Sequence, residues 1–276
     1  MNQKSVVPPS LDPLNFNGLR NWSLLLFISL VLFLFSSRLP IYSLSDNMAH
    51  STWMKFYEDN GESTASGWPS ETRSALTFDE QMILEVRRTW DTQNSEEALA
   101  GSTLRNLRSI AGITTHLSEG FAVLLVLFLT WGITYWRPQL ERFRTPLKGA
   151  LAGAISAGIL ARLLKIGFGR GRPNELIYRS FPDWEPMSLE NNHNSLPSGH
   201  ATATGVLVML LSMLFPRWTP LWCVLGVWLC STRVFTADHW PSDTVIGFIL
   251  GAFFVVLWTS ILERQEERNQ SSISSR

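Results

Sequence analysis

The sequence predicts an all-α fold: a bundle of six transmembrane helices with a small extracytoplasmic helical cap between the first two spans. Three observations carry that expectation. The chain of 276 residues is 45% hydrophobic and 17% charged, with 12 Trp and 16 Phe, a balance that excludes intrinsic disorder. Its apolar residues are gathered into six blocks, and about 17–25 such residues suffice to cross a bilayer. One long polar stretch separates the first two blocks. The 23 Lys and Arg equal the 23 Asp and Glu, so the formal net charge is zero and no basic stripe is present to hold nucleic acid.

The elements follow in order. Residues 1–21 form an N-terminal segment and 22–39 the first span. A retained anchor is favoured over a cleaved signal peptide there, because a Pro-containing segment precedes the block and no A-x-A-like site follows. Residues 40–119 form the cap. Its 60–67 stretch reads as loop, whereas Phe78, Met82, Ile83, Val86 and Trp90 recur at helical spacing. Such a cap either packs on the membrane domain or serves as a vestibule for substrate. Residues 120–262 form a five-span membrane core, with blocks at 120–136, 146–168, 200–215, 219–235 and 242–262. The fourth is short, so its start is expected at interface depth. The charged, Ser-rich tail, 263–276, is expected to fray.

Trp22, Trp136, Trp218 and Trp222 stand at block ends, where amphipathic rings settle at headgroup level. With six spans, Lys4, Arg20, Arg137, Arg142, Arg144, Lys148, Arg217, Arg264, Arg268 and Arg276 share one side, which the positive-inside rule makes cytoplasmic. Cys223 and Cys230 are seven apart in one block, roughly 10 Å on a helix, too far for a disulfide. No Cys/His cluster has zinc-ligand spacing.

Charge at a membrane span is costly and usually functional, and three clusters carry it. Lys165 and Arg172-Pro173 close the third block, Pro197-Ser198-Gly199-His200 opens the fourth, and Thr232-Arg233 ends the fifth, followed by His239 and Asp243. One loop joins the first two clusters, and two further crossings return the chain to the same face for the third. Lys165, Arg172 and Arg233 offer charge and N–H donors suited to phosphate. Ser198 as N-cap directs the amides of Gly199 and His200 outward, and a helix N-terminus is itself an anion site. His239 and Asp243 are i,i+4, so the carboxylate can hold one imidazole nitrogen and leave the other as nucleophile. His200 then remains to protonate the leaving oxygen.

These three blocks resemble the motifs K-x6-R-P, P-S-G-H and S-R-x5-H-x3-D of the type-2 phosphatidic-acid phosphatase superfamily, with Thr232 standing where Ser is usual. Similarity is good over 149–251 and weaker from Phe78-Asp79-Glu80 through Thr115. The resemblance implies a six-helix, multi-pass enzyme of a bacterial inner membrane, of the phosphatidylglycerophosphatase or undecaprenyl pyrophosphate phosphatase type, with its site on the periplasmic face. It also implies hydrolysis through a phosphohistidine without metal or other cofactor. Position by position, His239 is nucleophile, Asp243 its orienter and His200 the general acid, while Lys165, Arg172, Ser198, Gly199 and Arg233 bind phosphate.

The remaining ionisable groups carry milder expectations. Arg162 reads as snorkelling or ion-paired, and Arg170 as solvated loop charge as readily as phosphate contact. His50 and His193 read as exposed loop residues, His116 and Glu119 as half of a zinc pattern with no metal assigned, and Asp238 as an exposed carboxylate that either tunes His239 or does nothing. The expected substrate is a lipid phosphate reaching the site laterally: undecaprenyl pyrophosphate, phosphatidic acid, phosphatidylglycerol phosphate or a lipid A phosphate. Besides membrane lipids no obligate protein partner is expected. A phosphotransferase using the same residues is the alternative. A transporter is disfavoured because the charges avoid the midplane and no repeat is present, and an inactive lipid-binding homologue because both histidines and Asp243 are retained.

Overall fold

A computed structural model describes residues 16–38, 40–43, 75–91, 109–173 and 184–274. The expectations for 60–67, for His50, for most of the cap and for 174–183 of the loop before the P-S-G-H block lie outside the described residues. Each of the six apolar blocks is helical: α1 Phe16–Arg38, α4 Gly120–Trp136, α5 Arg144–Phe168, α6 Gly199–Leu214, α7 Thr219–Phe235 and α8 Pro241–Ser274. Between α1 and α4 lie α2, Phe78–Asp91, and α3, Ser109–Ser118, whose last turn is 3-10.

The described residues are mostly helical, with one short two-stranded ribbon beside the helices. Pro40–Ser43 (β1) and Ala75–Thr77 (β2) pair antiparallel, with Pro40 opposite Thr77. Their β-branched and aromatic residues suit an extended ribbon, which brings the end of α1 to the start of α2. There Thr77-Phe78-Asp79-Glu80 is a capping box: the Glu80 amide donates to Thr77 Oγ1 (3.3 Å) and the Thr77 amide to Glu80 Oε2 (2.8 Å). The start of α2 is thereby fixed, with Asp79 in its first turn.

Helix α8 is the hub, packed along α5 and α6 and also against α1, α7 and α2. Its contact with α6 is backbone on backbone. A Cβ on Gly251 would lie 2.0 Å from the Thr202 carbonyl oxygen, and one on Gly205 the same distance from that of Phe248. Close approach through glycine replaces the hydrophobic drive that lipid does not supply. Inside, Val123, Leu127, Leu147, Val206, Leu210, Met213, Val255 and Val256 form one buried cluster. Outside, Phe121, Val126, Phe128, Ile159, Leu163, Val224 and Val227 are all more than half exposed. Helices apolar on both faces suit lipid rather than water.

Among the described residues, Pro138–Phe168 and Pro241–Ser274 are long and apolar enough to cross a membrane, and Ser109–Ser118 with Gly120–Trp136, bent by 48°, qualify together as a third. Gly199–Leu214 is apolar but shorter, as the sequence predicts for the fourth block. The tail departs from expectation: α8 continues through Glu263 to Ser274 instead of fraying at the membrane edge. The Glu, Gln and Arg residues of 263–270 are strong helix formers, and Thr145 Oγ1 donates to Glu266 Oε1 at 2.7 Å, tying this extension to the start of α5.

Candidate active site

The site begins where α5 ends. Lys165 lies in its last turn, and Gly169 stops the helix in a left-handed conformation (φ 56°), its amide closing on the Lys165 carbonyl. A Cβ there would run into the Glu185 carbonyl, so the turn requires glycine. The chain leaving α5 is braced by the segment before α6: the Glu185 amide donates to Gly169 O, that of Ser195 to Arg170 O and that of Arg172 to Asn192 O. Lys165 Nζ donates to the Asn194 carbonyl at 2.5 Å, and Arg172 reaches Asn191 through its carbonyl (3.0 Å) and Oδ1 (3.1 Å).

Helix α6 starts at Gly199 with Ser198 as N-cap, whose Oγ accepts from the Ala201 amide. The amides of Gly199 and His200 thus stand at the open end of a helix. The Ser198 amide donates to Asp243 O, and the Trp240 indole Nε1 donates to Gly171 O, so the three motifs are joined directly by hydrogen bonds. Arg233, at the end of α7, is buried between Thr115 Oγ1 (3.0 Å) and the Asp238 carboxylate (2.9 Å). The charges of Arg233, Asp238 and Lys165 all bear on His200. These hydrogen bonds bring the three motif segments together at one place.

The orientation of His239 differs from expectation. It lies in the turn before α8 rather than on a helix, and its Nδ1 is 3.8 Å from Asp243 Oδ2, beyond hydrogen-bond length. Ser195 stands between them: its hydroxyl donates to Asp243 Oδ2 (2.5 Å), leaving its lone pairs to accept from His239 Nδ1–H (3.4 Å). That assigns the Nδ1–H tautomer and leaves Nε2 with a free lone pair. Burial holds the imidazole well below its ordinary pKa, to about 3, against the opposing pull of Asp243. His239 is consequently neutral near pH 7, as a nitrogen nucleophile must be.

Arg170 requires the largest correction. It is not solvated: the residue is 5% exposed, with NH1 on Asp243 and on Ser242 Oγ and NH2 on Asp79 (2.7 Å). A guanidinium desolvated by aromatic walls must be paired, and two carboxylates do so. Asp79, Ser195 and Thr115 are further site residues that the motif reading missed. Ser195 sits three residues before the N-cap, and the Thr77–Glu80 capping box was the readable sign that Asp79 begins a helix.

Smaller expectations resolve as follows. Asp238 is paired with Arg233 and Thr236 rather than simply solvated. The side chain of His193 is 15% exposed, with Glu185 3.2 Å away, so it is not a free loop residue. His116 and Glu119 are exposed and 4.0 Å apart, and among the described residues no group of three or more His, Cys, Asp or Glu is arranged to hold a metal. Cys223 and Cys230 are free. Arg162 is exposed and, with Lys165 and His200, lines a cavity of about 300 Å³ between α4, α5 and α6. Its other walls are mostly apolar, among them Val123, Leu124, Ala154, Gly158 and Val206.

Comparison with known proteins identifies the family. The family model described as the PAP2 superfamily matches residues 146–267. The chain is 34% identical over 110 residues to a lipid A 1-phosphatase of Rhizobium johnstonii, covering 40% of this chain and 45% of that protein. It is 37% identical over 118 residues to an undecaprenyl-diphosphatase of Sulfolobus acidocaldarius, covering 42% and 48%. To a decaprenylphosphoryl-5-phosphoribose phosphatase of Mycobacterium tuberculosis it is 30% identical over 141 residues, 50% and 71%. The chain thus spans about half the length of the first two relatives, 45% and 48%. No solved structure matches it. The matched segment runs from the start of α5 into the tail of α8, carrying all three motifs, and with the mycobacterial similarity it establishes that this chain belongs to the PAP2 superfamily.

Proposed function

We propose that this chain is an integral membrane lipid phosphatase that hydrolyses a phosphate or pyrophosphate ester through a phosphohistidine, with its six apolar helices as spans and its site at the extracytoplasmic face. The observation that carries the reading is the neutral, buried His239, steadied through Ser195 and Asp243 beside Lys165 and Arg172 of the first motif. Names of relatives support the substrate class, since lipid A, undecaprenyl and decaprenyl compounds are all lipids. So does the apolar cavity ending at Lys165 and His200, which suits a lipid chain arriving from the side.

In the first step His239 Nε2 attacks phosphorus, the bond to the leaving oxygen breaks, and His200 gives that oxygen its proton. The imidazole becomes cationic as it bonds, and the Ser195–Asp243 relay stabilises the Nδ1–H that now carries more charge. In the second step water attacks phosphorus, His200 takes its proton, the P–N bond breaks and inorganic phosphate leaves. Lys165, Arg172, Arg233 and the open amides of α6 hold the phosphoryl oxygens, whose charge is spread over the equatorial plane in the transition state. Asp238 and the carbonyls around Lys165 restrain these cations when phosphate is absent.

The test is release of inorganic phosphate by purified protein in detergent with excess chelator. The panel comprises undecaprenyl pyrophosphate, phosphatidic acid, phosphatidylglycerol phosphate and lipid A. The reading expects turnover of at least one substrate, unchanged by chelator and without an added acceptor, which separates hydrolysis from phosphotransfer. Loss of all activity on chelation, or release only when an acceptor is supplied, contradicts it.

A further inference from the structure

We infer that Asp79, in the first turn of α2, is a positioning residue for the reaction: through Arg170 and the N-terminus of α8 it holds Asp243 in the orientation that steadies Ser195 and His239. The inference rests on the phosphohistidine reading and extends it to a part of the chain outside all three motifs.

Asp79 is 1% exposed and spends both oxygens at one junction. Its Oδ1 accepts from the Ser242 amide (3.2 Å), and its Oδ2 from Ser242 Oγ and from Arg170 NH2 (2.7 Å). Ser242 is the second residue of α8, so a carboxylate from another helix serves as its N-terminal cap, where amides lack intrahelical partners. The next residue is Asp243. Its Oδ2 turns back to the Trp240 amide at 3.1 Å and receives the Ser195 hydroxyl, while its Oδ1 takes Arg170 NH1.

Arg170 is the bridge. A guanidinium is planar with a fixed fork, so fixing one arm fixes the direction of the other. One arm is on Asp79, the other on Asp243 and Ser242, and the plane is confined by the rings of Phe33, Trp240 and Trp184, centred 5.0, 5.2 and 5.7 Å away. Asp79 in turn is fixed by the Thr77–Glu80 capping box. Neutralising Asp79 leaves a buried Arg170 whose one remaining carboxylate among the described residues is Asp243, and the guanidinium is then free to draw that carboxylate away from Ser195. The cap region is thereby tied to the orienting carboxylate, whereas the phosphate-holding side chains Lys165, Arg172 and Arg233 make none of these bonds.

The experiment is a double-mutant cycle on kcat and KM with the lipid phosphate turned over fastest, together with inhibition by inorganic phosphate. Asp79→Asn is expected to lower kcat about 10–100-fold, leaving KM and the inhibition constant of phosphate within about twofold. In an Asp243→Asn background the same change should cost less than about twofold, because Asp79 acts through Asp243. A merely structural role would cost as much in both backgrounds and would move KM. If Asp79→Asn does not accumulate folded, Ser242→Ala removes one hydroxyl from the same junction and should lower kcat several-fold at unchanged KM. Parental kcat in the accumulated variant, or equal loss in both backgrounds, overturns the inference. Turnover by His239→Ala would overturn the underlying reading instead, so the two failures are separable.

Discussion

The two ends of the helical bundle treat charge in opposite ways. At the site end, Arg170, Asp79 and Asp243 have side chains 6%, 1% and 0% exposed, and each carries at least two polar partners. At the other end Arg144 meets Glu141 at 2.9 Å with the Glu side chain 71% exposed, and Thr145 meets Glu266 at an exposed surface. Exposed pairs of this kind contribute about 0–1 kcal/mol, whereas losing one partner of a buried pair costs about 3–5 kcal/mol. Among the described residues, buried charge gathers at the site end, with Asp79, Glu80, Arg170, Arg233 and Asp243 all 8% exposed or less. Burial of that kind marks the working end, because fixed dipoles and charges act strongly only where water is excluded.

The contrast fixes the expected sizes of substitutions. The largest effect belongs to His239→Ala, for which kcat should fall at least about ten-thousand-fold, since the attacking nitrogen itself is removed. Full activity would move the nucleophile elsewhere. Ser195→Ala comes next. It removes one buried hydrogen bond, worth about 1–3 kcal/mol or roughly 5–150-fold, and the loss should appear in kcat with KM unchanged. Lys165→Ala should lose a similar factor in kcat/KM but mainly through KM, as the cation holds phosphate rather than His239. A Lys165→Ala variant whose KM is parental would sharpen the contrast by taking Lys165 out of the cradle.

A smaller effect concerns stability against pH. The folded-state pKa of His239 lies below the unfolded value, so unfolding takes up a proton in that interval. Its contribution to stability is therefore complete above about pH 6.5 and is lost as pH falls toward about 3. Denaturation midpoints of parent and His239→Gln, taken from pH 7 to pH 4, should show a steeper decline in the parent. Parallel declines would mean that His239 is not held neutral by the fold. The smallest effect is expected at the opposite end. Thr145→Ala or Glu141→Gln should change stability by no more than about 0.5 kcal/mol and leave kcat alone.

The same contrast explains what could be read from the sequence. All six apolar blocks are helices because long apolar runs have few alternatives, and the three motifs meet because the order of the helices returns each of them to one common end. Ser195 escaped notice because its role is spatial: it fills the gap between two side chains that i,i+4 spacing suggested would touch. The sequence leaves Arg170 divided between solvated loop charge and phosphate contact because its partner Asp79 lies 91 residues away, in a region of weaker resemblance. The charged, Ser-rich composition after 262 suggests fraying, yet the helix propensity of its Glu, Gln and Arg residues carries α8 to Ser274.

The central claim, that His239 Nε2 bonds covalently to phosphorus, is tested most directly by rapid quench of enzyme mixed with a 32P-labelled lipid phosphate in chelator. The account predicts a phosphoenzyme that is acid-labile and base-stable, maps to the peptide containing His239 and is absent from His239→Ala. It also predicts that Ser195→Ala slows formation of that species without relocating it. Label on any other residue, or phosphate released at the parental rate with no covalent species formed, would contradict the account.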